Sequence, residues 1–428
     1  MWAKFNKMLR RVNIMKNKRL YKEKFKMEDK VIILVWILEL CILYDIIISA
    51  FAFKRKEIPS KYAISPSATF TILIACHNEE EVIVDNLQAI YNSDYDKRLY
   101  NVYVIADNCT DQTEMLCHEF KSKYKDFNME VISVKGGSKP KALNCGIEYL
   151  KSHNLWKDEY IIILDADNKV SPGMLSSFDY YHGQSDIVQC RIRSDNDESF
   201  IARSFTAAFN RTTYDRQISR NNAGLSASLS GTGFSIRRSV FDDVNFQHCT
   251  TLTEDLEFSV LTILKGYKIK FINEQYVLNQ NLDELKPSMI QRVRWCRGHT
   301  QVSAKLVMSV IKEFIRKPRL QLIDTFLFIT TPARTVIFTV VGIYILISGI
   351  YISPAIVILS TIIIIYSILY GIYCNDYDLS YVPNLFHYAI CMFGAVLYGA
   401  LTYKKTAWAK TTHKKITNHT TNIKQCEI

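Results

Sequence analysis

No two of the eleven cysteines, at positions 41, 76, 109, 117, 145, 190, 249, 296, 374, 391 and 426, form a C-x-x-C pair, and their number is odd. A zinc ribbon and a disulfide framework are therefore excluded, and the concentration of thiols in the polar middle of the chain suits a reducing cytosol. P-C-x-x-C, H-E-x-x-H and EF-hand patterns are missing, as are G-x-x-x-x-G-K-[ST] and G-x-G-x-x-G. Gly231-Thr232-Gly233 lacks the third glycine and does not follow a buried strand run, so P-loop and dinucleotide chemistry have no signature here. Charge is scarce in 31–53, 322–352, 354–373 and 383–402, whereas 54–321 reads as ordinary soluble sequence. With 48% hydrophobic and 22% charged residues in 428, the chain is neither disordered nor collagen-like. Segregated polarity of this kind points to an enzyme at a membrane.

Charge is abundant at the two ends. Residues 1–30 hold 11 Lys/Arg against three acids, a net of +8, and residues 403–428 hold six against one, a net of +5. Basic tails beside apolar runs point to anionic lipid on the cytoplasmic face rather than to nucleic acid. The first apolar run is longer than a signal-peptide core and ends in Phe51-Ala52-Phe53 without a small-x-small site, so its retention is expected.

Between the apolar runs, strand and helix patterns alternate. TFTILIAC (69–76), NVYVIAD (101–107), MEVISVK (129–135) and YIIILDAD (160–167) read as buried strands, separated by amphipathic helices. Strand-helix-strand repetition predicts an α/β fold with a mostly parallel sheet, helices on both faces and ligands beyond the carboxyl ends of the strands. The residues at that rim are His77, Asn78 and Glu79, then Asp107, Asn108 and Asp111, then Asp165 and Asp167. Acids dominate, which suits a divalent cation and a sugar better than bare phosphate.

Asp165 and Asp167 flank Ala166 at the end of an aliphatic run, so both carboxylates emerge on one side of the pleat. Two hard oxygen donors there can share Mg²⁺ or Mn²⁺ with a diphosphate. Thr253-Glu254-Asp255 precedes an amphipathic helix and reads equally as a helix start or as the placement of a general base at Asp255. Gln291-Arg292-Val293-Arg294-Trp295 reads either as an interfacial basic-aromatic cluster or as a Trp stacked on a sugar with an Arg on a diphosphate.

In their order, TILIACHNEE, VIADNCTD, KPKALNCG, ILDADN, SGTGF, LTEDLEF and QRVRW, over about residues 69–300, resemble the membrane-embedded family 2 glycosyltransferases, the group of cellulose, chitin, hyaluronan and poly-N-acetylglucosamine synthases. The resemblance implies a GT-A type nucleotide-sugar-binding domain. Glu79 and Asp107 would hold uridine with Lys139 nearby; Asp165 and Asp167 would be the D-x-D pair, with Asp167 the direct metal ligand; Asp255 would be the base. Glu254, the loop Gly231-Thr232-Gly233, and Gln291, Arg294 and Trp295 would face acceptor and diphosphate. Trp408, Thr411 and His413 look like a W-x-x-T-x-H element of some relatives, and read equally as a solvated tail. ADNCTD and SGTGF depart from the commoner forms of their motifs.

The implied activity is inverting transfer of a hexose or N-acetylhexosamine from a UDP-sugar to a growing glycan at the cell membrane, with Mg²⁺ or Mn²⁺ as cofactor. Single-sugar transfer to a lipid carrier and a non-catalytic nucleotide-sugar-binding protein are the alternatives. Implied partners are the donor, a glycan or lipid-linked acceptor, membrane lipids and accessory membrane or export subunits, without nucleic acid. The expected layout is a basic tail (1–30), a membrane helix (31–53), a cytosolic GT-A domain (54–300), an interfacial segment (301–321), a membrane region (322–402) and a second basic tail (403–428). Both tails are expected in the cytosol, with 374–382 outside as the tip of an out-and-back hairpin and part of 322–352 not crossing.

Overall fold

The structure, a computed structural model, describes residues 28–54, 66–244, 246–349, 351 and 353–405. Four aliphatic runs form β1 (Phe70–Cys76), β2 (Tyr100–Asp107), β3 (Met129–Val134) and β4 (Tyr160–Asp165), within two residues of the expected bounds. They pair in parallel in the order β3-β2-β1-β4. Alternate residues serve opposite faces, as period-two geometry requires. Phe70, Ile72 and Ile74 meet α2 (Ile83–Tyr91), α3 (Thr113–Lys123) and α5 (Met174–His182), while Leu73, Ile161 and Ile163 meet α4 (Lys139–Ser152) on the other side. Gly146 lets α4 close on the sheet, since a Cβ there would stand 2.4 Å from Ile105 Cδ1.

The rest of the sheet is mixed. β5 (Lys169–Val170), β6 (Ile187–Ser194), β7 (Phe234–Arg237) and β8 (Ile269–Asn279) complete the order β3-β2-β1-β4-β7-β6-β8-β5, with β7 antiparallel to both β4 and β6. Reversal at β7 brings the loop before it back over the carboxyl end of β4. Helices α6 (Phe200–Thr212), α7 (Ser219–Asn222) and α8 (Arg238–Val244) connect these strands, and α9 (Glu254–Lys265) begins at the same edge.

Beyond residue 284 the described residues are mainly helical: α10 (Leu285–Arg316), α11 (Leu320–Ile329), α12 (Thr331–Ser348), α13 (Pro354–Tyr373) and α14 (Val382–Leu401). α10 runs unbroken through the expected boundary at 300/301. Leu256, Val260 and Ile263 of α9 pack with Val302, Leu306 and Val310 of α10 and Leu322 and Ile329 of α11, so this region shares a core with the catalytic-type domain.

Among the described residues, four segments are long and apolar enough to cross a membrane: Glu28–Phe53, which is α1, then Thr331–Ser348, Pro354–Tyr373 and Leu379–Leu401. α1 lies parallel to α13, with Ser360 Oγ donating to Glu39 Oε1 at 2.6 Å and Tyr373 Oη donating to the Ala52 carbonyl at 3.4 Å. It lies antiparallel to α12, with Asp45 3.8 Å from Arg334 and Val31 packed near Val341 and Ile345. Arg220, only 2% exposed, joins Asp45 (2.6 Å) to the buried Asp324 (3.2 Å), which also meets Arg216 (3.4 Å). Glu39, Asp45 and Asp324, which interrupt the apolar runs in sequence, are therefore partnered across elements rather than left to lipid.

One expected element is corrected. The 374–382 connection does not project away from the catalytic-type domain. Asn210 donates to Asn375 Oδ1 (3.0 Å), Arg203 pairs with Asp378 (3.4 Å) and Tyr381 donates to Asp197 (3.1 Å). Of its two acids, read as an external signal for want of Lys/Arg in the loop, Asp378 has its cation on α6. α14 then runs back over the same platform. Asn384 donates to Ser204 Oγ at 3.1 Å near its start, and Arg297 donates to Thr402 Oγ1 at 2.8 Å just past its end. Residues 1–27 and 406–428, with most of both tails, lie outside the described residues.

Candidate active site

β4 ends at Asp165, and the alternation of half-exposed and buried residues continues through Asp167, which places both carboxylates on one side around the buried Ala166. The turn is fixed from below. Asn86 Nδ2 donates to the carbonyls of Asp165 (3.0 Å) and Asn168 (2.8 Å), and Asn168 Nδ2 donates to Asp167 Oδ1 (3.2 Å). Thr232 Oγ1 accepts from the Asp165 amide at 3.0 Å and donates to Asn168 Oδ1, tying the SGTGF loop to the D-x-D turn.

That loop needs its glycines. Gly231 (φ 81°) and Gly233 (φ 65°) are left-handed, and a Cβ on Gly233 would stand 2.9 Å from Cys190 Sγ. Buried Gln189 holds the loop by donating to the Thr232 carbonyl (2.9 Å) and accepting from the Ser230 amide (3.0 Å). A Cβ on Gly231 would come within 3.5 Å of Asp255 Oδ2, so the loop passes directly by that carboxylate.

Lys139, at the start of α4, reaches into the same space. Its Nζ donates to Asp165 Oδ1 and to the Gly231 carbonyl at 2.7 Å. Burial pulls its pKa down, but Asp165, Glu254 and Asp255 outweigh that and raise it, so the ammonium is held charged. Burial in turn pushes the Glu254 carboxyl up to about 7, with Asp255 and Asp165 adding and Lys139 opposing. Asp255 is raised as well, first by burial, against the Leu256 amide and Lys139. Three carboxylates thus share one ammonium, two of them at the first turn of α9, where the helix dipole also favours anions.

The loop leading into α9 is anchored by Glu257, fully buried, which accepts from the amides of Thr250 and Thr251 at 2.9 Å each and from Lys305. Thr253 occupies the N-cap position without capping. Its Oγ1, like Arg294 Nε, is buried without a hydrogen-bond partner among the described residues. Arg294 faces the acids: burial lowers its pKa while Glu254, Asp255 and Asp165 oppose the shift.

Trp295 turns to the other side of α10, its ring 6.1 Å from Phe209 and near-perpendicular to it. The buried Arg292 guanidinium lies 4.2 Å over Trp295 and 4.0 Å over Phe205. Gln291 is half-buried on the same helix.

Asp107 stands apart, on the β2 rim. Its carboxylate accepts from the amides of Gly136 (2.7 Å) and Gly137 (2.8 Å) and from Asn108 Nδ2 (2.7 Å). It thereby fixes the glycine turn that delivers Lys139. Glu79 lies on the adjacent β1 rim, its amide bonded to Thr113 Oγ1 at 2.8 Å. Sequence reasoning singled out Lys139, Asp165, Gly231, Glu254, Asp255 and Arg294, and the fold brings them together. It missed Asn86, Asn168, Gln189 and Glu257, polar residues whose partners lie far away in the chain. Trp408, Thr411 and His413 lie outside the described residues.

Asp165 and Asp167 fit a hard divalent ion by donor chemistry, although no group of three or more His, Cys, Asp or Glu that could hold a metal occurs among the described residues. Two protein carboxylates are the share Mg²⁺ ordinarily takes when substrate phosphates and water complete its shell.

Comparison with known proteins agrees with this geometry. A "Probable glycosyltransferase YdaM" of Bacillus subtilis (strain 168) is 30% identical over 274 residues, 61% of each chain. A poly-beta-1,6-N-acetyl-D-glucosamine synthase of Staphylococcus epidermidis is 26% identical over 246 residues, 56% of this chain and 57% of that protein. The chain thus spans about three-fifths of the curated relatives it matches. Among solved structures, the mannosyltransferase PcManGT of Pyrobaculum calidifontis, in complex with GDP-Man and Mn²⁺, superposes with a TM-score of 0.60 at 16% identity, over 88% of this chain and 99% of that one. The fold is of the GT-A type, with four membrane-length apolar segments among the described residues. Residues 66–298 match the model of glycosyltransferase like family 2, and the chain belongs to that family.

Proposed function

We propose that the protein transfers a hexose or N-acetylhexosamine from a UDP-sugar, with inversion, to a growing glycan at the cytoplasmic face of the cell membrane. The observation that carries this reading is the convergence of Asp165, Glu254 and Asp255 on Lys139 beneath the SGTGF loop. Asp255, its basicity raised by burial, takes the proton of the acceptor hydroxyl as that oxygen attacks the anomeric carbon. Lys139 and Arg294 face the departing diphosphate, where the ammonium and the guanidinium can donate to its oxygens. Asp165 and Asp167 would hold a divalent cation, which supplies charge neutralisation to the diphosphate when bound. Glu79 and Asp107 line the uridine end, Asp107 acting mainly by fixing the turn at Gly136 and Gly137. The loop Gly231-Thr232-Gly233, Glu254, Gln291 and Trp295 border the acceptor side.

α1, α12 and α13 serve as crossings in this reading, and α14 lies in the interface on α6 and α10. The 374–382 loop and the start of the C-terminal tail then face the cytosol with the catalytic domain, while the N-terminal end of α1 lies on the far side, contrary to the cytosolic placement expected from the basic N-terminal residues. The deciding experiment is incubation of membranes with a panel of radiolabelled UDP-sugars, followed by sizing of the product. Polymeric product from one donor, absent in Asp255→Asn, is the expected result; no incorporation from any donor rejects the reading.

A further inference from the structure

One turn of α10 touches both the acidic loop and the end of α14. On one side Gly298 lies against Thr253: a Cβ there would stand 2.6 Å from Thr253 Cγ2 and 2.7 Å from its amide nitrogen. On the other, Gly399 of α14 closes on the Cys296 and Arg297 backbone, its would-be Cβ 3.1 Å from Arg297 N. Gln301 reaches both ways. Its Oε1 accepts from the Leu252 amide at 2.9 Å, and its Nε2 donates to the Tyr403 carbonyl at 2.7 Å and to the Lys405 carbonyl at 3.5 Å. An amide side chain has one acceptor oxygen and one NH₂, and here each is committed to a different distant segment.

The fixed points of the loop are few. Glu257 holds the amides of Thr250 and Thr251, Gln301 holds Leu252, and the helix carrying Glu254 and Asp255 begins two residues later. Whatever moves Gln301 therefore moves the entry to the acidic turn. Gln301 in turn is oriented by the segment after α14, which Arg297 also grips through Thr402.

We propose that Gln301 is a positioning residue that ties residues 402–405 to the loop bearing Glu254 and Asp255, so that docking of the C-terminal segment on α10 sets the placement of the base. The inference rests on the reading of Asp255 as base. When the segment leaves α10, the NH₂ of Gln301 loses its acceptors, the side chain is free to rotate, and the Leu252 amide loses its partner. Attack geometry then loosens while the donor contacts on β1, β2 and β4 stay in place.

The test compares Gln301→Met, Gln301→Glu and Thr402→Val in the full chain in detergent. Gln301→Met removes both bonds. Gln301→Glu keeps an acceptor for Leu252 and loses the donor to Tyr403. Thr402→Val loosens the segment without touching the loop. Hydrogen exchange over 249–256 is expected to speed up in all three, most in Gln301→Met, although Thr402 makes no contact with that loop. The kcat should fall about tenfold in Gln301→Met, which loses the bonds on both sides, and about threefold in Thr402→Val, which loses one, with UDP affinity within about twofold of wild type. Faster exchange at 399–405 in Thr402→Val with 249–256 unchanged would overturn the coupling, as would unchanged kcat in Gln301→Met. Parallel loss of UDP affinity and kcat would place Gln301 in the donor site instead. Coupled exchange in a wild-type chain that transfers no sugar would support the clamp and reject the base.

Discussion

Asp107, buried, and Asp255, half-buried, are both acids at the carboxyl edge of one sheet, yet their surroundings are opposite. Asp107 is surrounded by donors that belong to the fold: two glycine amides and Asn108. Asp255 shares Lys139 with Glu254 and Asp165, and burial raises both members of the Glu254/Asp255 pair. A fold that only needed stability would not crowd three carboxylates around one ammonium. The rim is a finished piece of architecture, and the centre is held short of positive charge. That shortage is what a divalent cation and an acceptor proton relieve.

The sharpest way to break the comparison is to neutralise the centre alone. Asp255→Asn keeps the side-chain shape and removes the basicity, so transfer should fall by about 10²–10⁴-fold. UDP affinity measured by calorimetry should stay within a few-fold. A variant with wild-type turnover reduces Asp255 to a helix-start residue. Asp167→Ala, or chelation by EDTA, should cost about 10²-fold in turnover and also weaken UDP binding, because the diphosphate charge loses its counterion. Full activity in EDTA-washed membranes would refute the cation.

At the rim the same change should act on stability. Asp107→Asn puts an NH₂ where two amides already donate, and should destabilise the fold by about 2 kcal/mol through loss of charge-assisted bonds. Turnover should suffer less than in Asp255→Asn, through a displaced Lys139. Thermal unfolding in detergent, read beside initial rates, separates the two. A rim variant with unchanged melting and abolished transfer would erase the distinction between the regions.

The first half of the sheet was legible because its information is local. Aliphatic runs of six to eight residues specify β1 to β4, β2 and β4 closing in Asp107 and Asp165, and the alternation through Ala166 follows from the pleat. β7 was not legible. FSIR is four residues long, and its direction is set by pairing with β4 and β6, not by its own pattern. The motif residues of the site were visible as a family order, but Glu257 and Gln189 were not. A buried carboxylate on an apolar helix face announces a partner without saying that the partner is Lys305, 48 residues on. The 374–382 loop failed for the same reason: Asp378 looks external until Arg203 of α6 is beside it.

The smallest expected effect tests the crowding itself. The Glu254 carboxyl is raised to about 7 in the folded chain from an ordinary value of 4.5. A raised acid contributes stability that is fully present below its unfolded value and is lost as pH rises through the folded one. Ionisation of Glu254 should therefore cost the protein stability between pH 4.5 and 7, more or less evenly across that window, and add nothing further above it. Gln at this position cannot ionise. Glu254→Gln should gain on wild type as pH rises through the window, by up to about 2 kcal/mol between pH 5 and pH 8, the attraction to Lys139 being already contained in the value of about 7. The measurement is the difference in melting temperature between the two proteins at pH 5 and pH 8, in EDTA so that bound cation does not add to the balance. A difference independent of pH would mean that Glu254 is already ionised at pH 5. The centre would then be as well satisfied as the rim, and the contrast between Asp107 and its three counterparts would lose its physical basis.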